Sequence, residues 1–206
     1  MKQVVSLSGG KDSTAMALMM LERNEDVSEF LFCDTGMEYP ECYDTLNRFE
    51  ELTGRTITRL HADYDFMYYA AEKELKFRKG ITTKKDGTPK RKYGYGFPSA
   101  LRRWCTYNLK LKVLEKYKKE HYPEGCVDCI GIALDEPKRI HDNINKRYPL
   151  VEYGVTEQQA LDYCKSKGFY PSPCAYDFIP RVSCYCCPLA NLKTIDYLIN
   201  HRPELW

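Results

Sequence analysis

Apolar positions along the chain alternate between two spacings. Val4-Val5-Ser6-Leu7 is a β-type run, and residues 3–8 predict a first strand. Thr14-Ala15-Met16-Ala17-Leu18-Met19-Met20-Leu21 then continues as a helical run, so 12–23 predicts a first helix. Phe30-Leu31-Phe32-Cys33 predicts a buried second strand ending at Asp34-Thr35-Gly36. Tyr43, Leu46, Phe49 and Leu52 share one face of a helix predicted over 40–53, which Gly54 stops. Thr56-Ile57-Thr58-Arg59-Leu60 alternates as a strand. Residues 65–77 and 108–120 predict helices, and Val127–Ala133 predicts a strand running into Asp135-Glu136-Pro137. Tyr148-Pro149-Leu150-Val151 predicts a short extended piece. Thr156 caps a helix over 157–167 closed by Gly168, and a last helix follows Pro188.

Strand and helix in alternation predict an α/β fold, a Rossmann-like parallel sheet with helices on both faces. Ligands of such sheets lie at the carboxyl ends of the strands. Three segments fall there: Ser8–Ser13, Asp34–Glu38 and Gly131–Arg139.

The first of these carries the clearest chemistry. Ser8-Gly9-Gly10-Lys11-Asp12-Ser13 joins a strand to a helix through two glycines. Backbone N–H groups at such a helix start bind anions, phosphate above all. Gly9 and Gly10 lack the Cβ atoms that would block close approach; Ser8, Ser13 and Thr14 add hydroxyls, and Lys11 adds a charge. The ordinary P-loop needs a Gly six residues before the Lys, where this chain has Val5. The dinucleotide fingerprint needs a third Gly that is missing.

Composition narrows the classes. A chain of 206 residues with 43% hydrophobic content supports one domain with a small appendage. No run reaches the length of a membrane span, and the N-terminus enters a strand directly, which predicts a cytoplasmic protein without membrane contact. A net charge of +2 says little about partners, whereas ten cysteines in a cytosolic setting point to metal or redox roles rather than disulfides. Residues 76–92 hold eight basic residues and one acidic one, with Gly and Pro among them. That composition reads as a mobile loop, either a solvated excursion or a clamp on a polyanion such as nucleic acid. Many of the seventeen tyrosines lie between Tyr64 and Tyr107, where they could stack on bases or fill surface clefts.

The Ser-Gly-Gly-Lys-Asp-Ser string resembles the pyrophosphate loop (PP-loop) of ATP pyrophosphatases, which split ATP between its α and β phosphates. Further segments are similar to the phosphoadenosine phosphosulfate (PAPS) reductase-like branch of these proteins. They are Cys33-Asp34-Thr35-Gly36-Met37-Glu38-Tyr39-Pro40-Glu41, Arg103-Trp104-Cys105-Thr106 with Lys110 and Lys112, Gly131-Ile132-Ala133-Leu134-Asp135-Glu136-Pro137-Lys138-Arg139, and Arg181-Val182-Ser183-Cys184-Tyr185-Cys186-Cys187-Pro188. The resemblance implies an adenine-nucleotide α-hydrolase-like fold. Residues 1–150 would form the nucleotide-binding α/β domain, with a basic loop at 76–96, and 151–206 a helical segment bearing Cys-x-x-Cys-Pro. Ser8, Gly9, Gly10, Lys11, Asp12, Ser13 and Thr14 would hold ATP or PAPS with Mg2+, joined by Asp34, Thr35, Gly36, Gly131 and Glu136. Lys11, Asp12 and Arg139 would act in catalysis.

Cys184-x-x-Cys187-Pro188 fits metal or iron–sulfur ligation, and Cys105 stands where the family has a mid-chain ligand. For a fourth ligand Cys174 is preferred to Cys186, which neighbours Cys187; the expected group is a 4Fe-4S cluster on Cys105, Cys174, Cys184 and Cys187, with a cluster leaving one iron free, or a structural zinc, as the alternatives. Cys126-x-x-Cys129 has ligand spacing too, but strand alternation puts its members on opposite faces. Asp135 and Glu136 follow a strand end and could hold Mg2+ or a ribose, or cap the turn at Pro137. The leading expectation is an ATP-dependent enzyme that adenylates a substrate and transfers sulfur, with a polyanionic acceptor and a sulfur- or electron-donor protein as partners. The alternatives are a sulfonucleotide reductase, whose Glu-Cys-Gly-Leu-His tail is missing from Asn200–Trp206, and a non-catalytic nucleotide-sensing subunit.

Overall fold

The computed structural model describes residues 1–77, 82–141 and 143–206. Arg78, Lys79, Gly80 and Ile81 of the basic segment lie outside the described residues. Five strands form one parallel sheet: β1 Lys2–Leu7, β2 Val27–Asp34, β3 Ile57–His61, β4 Cys126–Ile130 and β5 Lys146–Arg147. Their order across the sheet is β3-β2-β1-β4-β5, so β1 is central. The chain adds β2 and β3 on one side of β1, then crosses to place β4 on the other. That reversal opens a crevice between the carboxyl ends of β1 and β4, the place where parallel sheets bind ligands.

Alternation along the strands supplies both faces. Val5, Leu7, Phe30, Phe32, Ile57 and Cys129 share one core with α1 (Lys11–Glu22), α2 (Pro40–Thr53), α4 (Pro149–Glu152) and α5 (Glu157–Ser166). Val4, Leu31 and Cys126 face the other way, against Leu114 and Tyr117 of α3 (Lys112–His121). Cys126 and Cys129 are thus on opposite faces, as the two-residue period requires. Phe49 of α2 is 1% exposed and meets Phe30 edge to face at 5.0 Å. Truncating such a ring to Ala costs about 3–5 kcal/mol. Ala160, Cys164, Phe169 and Tyr170 enter the α1 core, so the segment beyond 150 shares the hydrophobic centre of the first.

Most predicted elements are present with shifted ends. The helix over 157–167 carries a full capping box, Thr156 with Gln159. The extended piece expected at Tyr148–Val151 is instead the helical turn α4; Pro149, with its fixed φ, opens a helix at its first position. The helix expected over 65–77 shrinks to a wide turn at Tyr68–Glu72, because residues 73–75 leave it to pair with 92–94. The strand expected to reach Ala133 stops at Ile130, where the chain must pass the start of α1. The helix after Pro188 is α6, Leu192–His201.

Candidate active site

The Gly-Gly loop sits at the crevice. Gly9 has φ +72°, and a Cβ there would lie 2.6 Å from the Cys42 carbonyl oxygen. Gly131, just past β4, would place a Cβ 2.7 Å from the backbone N and Cα of Ser13. Only glycine lets the end of β4 and the first turn of α1 approach this closely.

Side chains from far along the chain fix the loop. The Tyr170 hydroxyl donates to the Gly9 carbonyl at 3.0 Å, and the Tyr176 hydroxyl accepts from the Lys11 N–H at 2.7 Å. Within the loop, Ser13 Oγ accepts from the Ser8 N–H at 3.1 Å and donates to the Gly10 carbonyl at 3.1 Å. The Gly10 N–H reaches Ser8 Oγ at 3.4 Å. The N–H groups of Ser8, Gly10 and Lys11 are therefore partnered inside the protein, rather than all directed outward.

Charge gathers beside the loop. Lys11 Nζ lies 3.1 Å from Asp12 and 3.5 Å from Glu157 of α5, with the Lys11 side chain 6% exposed. Carboxylate oxygens of Asp12, Glu136 and Glu157 come within 4.8 Å of one another. Burial raises the Asp12 pKa, with Lys11 opposing it and Glu136 adding to it. Burial also raises that of Glu157. Arg139 holds Glu136 at 2.6 Å. A second cation, Arg181, acts on both Asp12 and Glu136. Asp135 accepts from the Glu157 N–H at 3.0 Å and so caps α5.

The loop after β2 is a second centre. Asp34 accepts from the Gly36 N–H at 2.8 Å and from the Tyr43 hydroxyl at 2.7 Å, and His61 lies 3.9 Å away. Glu38 accepts from the Thr35 N–H at 3.0 Å and the Thr35 hydroxyl at 2.9 Å, and pairs with Lys110 at 3.1 Å. The Cys184 thiol reaches the same carboxylate at 3.4 Å.

The cysteine segment docks here by backbone pairing. Glu38 and Cys184 form an antiparallel bridge, with Tyr39 N–H to the Ser183 carbonyl and Tyr185 N–H to the Met37 carbonyl, both at 2.9 Å. Cys105 and Cys186 pack on one aromatic cluster with Phe66, Tyr69 and Trp104. Burial, followed by the neighbouring Cys184 and Cys105 and then Cys187, pushes the Cys186 thiol up to about 12. Burial pushes Cys184 up to about 11, against Lys110. Cys105 and Cys186 thus share one aromatic cluster, and Cys184 and Cys187 flank Cys186 in the docked segment. Cys174, expected from the sequence as the fourth member, lies elsewhere: it borders the core of α1 and α5 and caps the turn at Ala175–Asp177.

Comparison with known proteins identifies the family. The model of the phosphoadenosine phosphosulfate reductase domain matches residues 2–141. The chain belongs to that family. It is 25% identical over 222 residues to the uncharacterized protein MJ0066 of Methanocaldococcus jannaschii, covering 98% of this chain and 39% of that one. It is 22% identical over 218 residues to MJ0973 of the same organism, covering 98% and 45%. The chain thus spans less than half the length of these curated relatives. Among solved structures it is similar to the U34-tRNA thiolase NcsA from Methanococcus maripaludis with its 4Fe-4S cluster. The TM-score is 0.50 at 16% identity, covering 100% of this chain and 68% of that one. This family member carries the PP-loop at the crevice and the cysteine segment beside the loop after β2. The sequence had passed over Glu157, Tyr170 and Tyr176, which arrive from beyond residue 150.

Proposed function

We propose that the chain binds ATP at Ser8–Ser13, cleaves it between the α and β phosphates to adenylate a substrate oxygen, and then transfers sulfur to the activated carbon. One observation carries the reading: the cysteine segment abuts the nucleotide loop, its Val182 carbonyl oxygen 3.0 Å from where a Cβ on Gly10 would sit, while Glu38 ties Cys184 to the loop after β2. The substrate oxygen attacks the α phosphate and pyrophosphate leaves. Sulfide then forms the C–S bond, the C–O bond breaks, and AMP departs with no net redox change. A sulfur-donor protein supplies the sulfide.

Lys11 and Arg181 are placed to offset charge on the leaving pyrophosphate. Asp12 and Glu157 are oxygen donors of the kind Mg2+ takes, and Mg2+ there would neutralise the same leaving group. The four thiols around Cys186 suit a metal centre. A tetrahedral zinc site sets its sulfurs about 3.8 Å apart. The Cys184-x-x-Cys187-Pro188 spacing, with Pro after the last Cys, favours the larger iron–sulfur cluster. The NcsA cluster supports the same choice. A bound cluster would hold sulfide for transfer; Cys105, Cys184, Cys186 and Cys187 would ligate it. All ten cysteines are free thiols, in keeping with a reducing cytoplasm, and no helix among the described residues is long and apolar enough to cross a membrane.

Family membership favours a second reading, reduction of PAPS or adenylyl sulfate. Supplying each nucleotide to the anaerobically purified chain separates the two. The sulfur-transfer reading expects AMP and pyrophosphate from ATP. Consumption of PAPS with thioredoxin, and ATP left intact, would overturn it.

A further inference from the structure

The segment between β3 and α3 carries an unusual surface. Residues 73–103 hold eleven of the chain's 31 basic residues and two of its 29 acidic ones, so the remainder of the chain is net acidic. The wider segment between β3 and α3 is rich in exposed rings. Four of the six exposed aromatic side chains among the described residues fall between 64 and 107: Tyr64, Tyr93, Phe97 and Tyr107, at 48–67% exposure.

These rings rest on a buried base. Phe66, Tyr69 and Trp104 pack together, with centroids 5.0 Å apart for Phe66–Trp104 and 6.1 Å for Tyr69–Trp104. Phe97 meets Phe66 edge to face at 6.2 Å. Tyr64 and Tyr68 lie nearly parallel at 4.0 Å. Gly94 keeps the 93–97 stretch close, since a Cβ there would fall 2.2 Å from the Ala70 carbonyl oxygen. Cations interleave with the rings: Lys73 over Tyr69 and Tyr95, Lys92 over Tyr93, and Arg102 over Tyr95. The buried base also takes Cys105 and Cys186 against its side, so the surface adjoins the cysteine centre.

We infer that this surface binds single-stranded nucleic acid, with unpaired bases stacking on Tyr64 and Phe97 and phosphates meeting Lys73, Lys92 and Arg102. Rigid, exposed rings among basic side chains are what a strand with splayed bases requires. The charge complements a phosphate backbone, and a duplex would hide the base faces that the rings need. Binding follows from this surface alone. That the bound strand is also the sulfur acceptor rests on the sulfur-transfer reading.

The test is fluorescence anisotropy of the full chain with labelled single-stranded RNA, single-stranded DNA and a duplex of equal length, over a salt series. A single strand should bind at least tenfold more tightly than the duplex, and its affinity should fall with salt with a log–log slope of about −2, as for three neutralised phosphates. RNA and DNA arms separate the two kinds of strand. Replacing Tyr64→Ala and Phe97→Ala together should weaken binding about tenfold or more. Trp206→Ala, an exposed ring outside the segment, should leave it unchanged; circular dichroism confirms that each variant is folded. Equal affinity for strand and duplex, no loss in the folded double variant, or a preference for anionic vesicles over any oligonucleotide overturns the inference. A chain that binds strands but releases no pyrophosphate keeps this inference and sinks the catalytic reading; turnover of ATP without strand binding does the reverse.

Discussion

Lys110 Nζ lies 3.1 Å from the carboxylate of Glu38, whose side chain is 1% exposed. Lys110 comes from the turn leading into α3, and Glu38 from the loop after β2. The ion pair ties both to Cys184 through the Glu38 oxygen. Removing the cation strands a buried charge, which typically costs about 3–5 kcal/mol. Lys110→Ala should therefore destabilise the fold by roughly 3 kcal/mol, read by denaturant unfolding. A change within about 0.5 kcal/mol, as at an ordinary surface site, would show that the pair does not hold these segments.

Gly9 and Gly125 separate backbone strain from crowding. Both have positive φ, +72° and +88°, but only Gly9 faces a neighbour, the Cys42 backbone. Gly125→Ala should cost about 1 kcal/mol from strain alone. Gly9→Ala should cost more, roughly 2–3 kcal/mol, and weaken ATP binding in calorimetry. Equal costs would mean that α2 yields and the loop is not clamped.

Glu29 offers a test of pH dependence away from the site. Burial raises its pKa, but the Thr58, Tyr117 and Tyr122 hydroxyls donate to it and bring it below the ordinary 4.5. A depressed carboxylate contributes stability that is present above the unfolded value and is lost as pH falls through the folded one. Between neutral pH and about pH 3 the native chain should lose more stability than Glu29→Gln. Parallel pH profiles in urea melts would contradict this.

How much was legible follows from separation along the chain. The strand and helix periods, the Gly-Gly loop and the Thr156 cap depend on neighbours a few residues apart, and each was readable. The position of Cys186 depends on pairing of 183–185 with 37–39, about 146 residues away, and spacing alone pointed to Cys174 instead. Tyr170 and Tyr176 reach the loop across more than 160 residues, and an isolated tyrosine carries no signal for that. Pro149 and its neighbours read locally as an extended piece, and the packing of Leu150 into the α1 core makes them a helical turn instead.

The thiol placement yields its own prediction. Iron and acid-labile sulfide per chain should fall in Cys105→Ser, Cys184→Ser, Cys186→Ser and Cys187→Ser, and stay unchanged in Cys174→Ser. Full iron in Cys186→Ser with loss in Cys174→Ser would contradict the grouping drawn from the structure.

In the proposed reaction ATP is opened between its α and β phosphates at Ser8–Ser13. Product analysis after incubating the anaerobic protein with ATP and Mg2+, with and without a single-stranded RNA acceptor, tests it most directly. AMP and pyrophosphate should form in equal amounts, with Lys11→Ala lowering the rate at least a hundredfold, about 2.7 kcal/mol of transition-state stabilisation. ADP and phosphate as products, or undiminished turnover in Lys11→Ala, would contradict it.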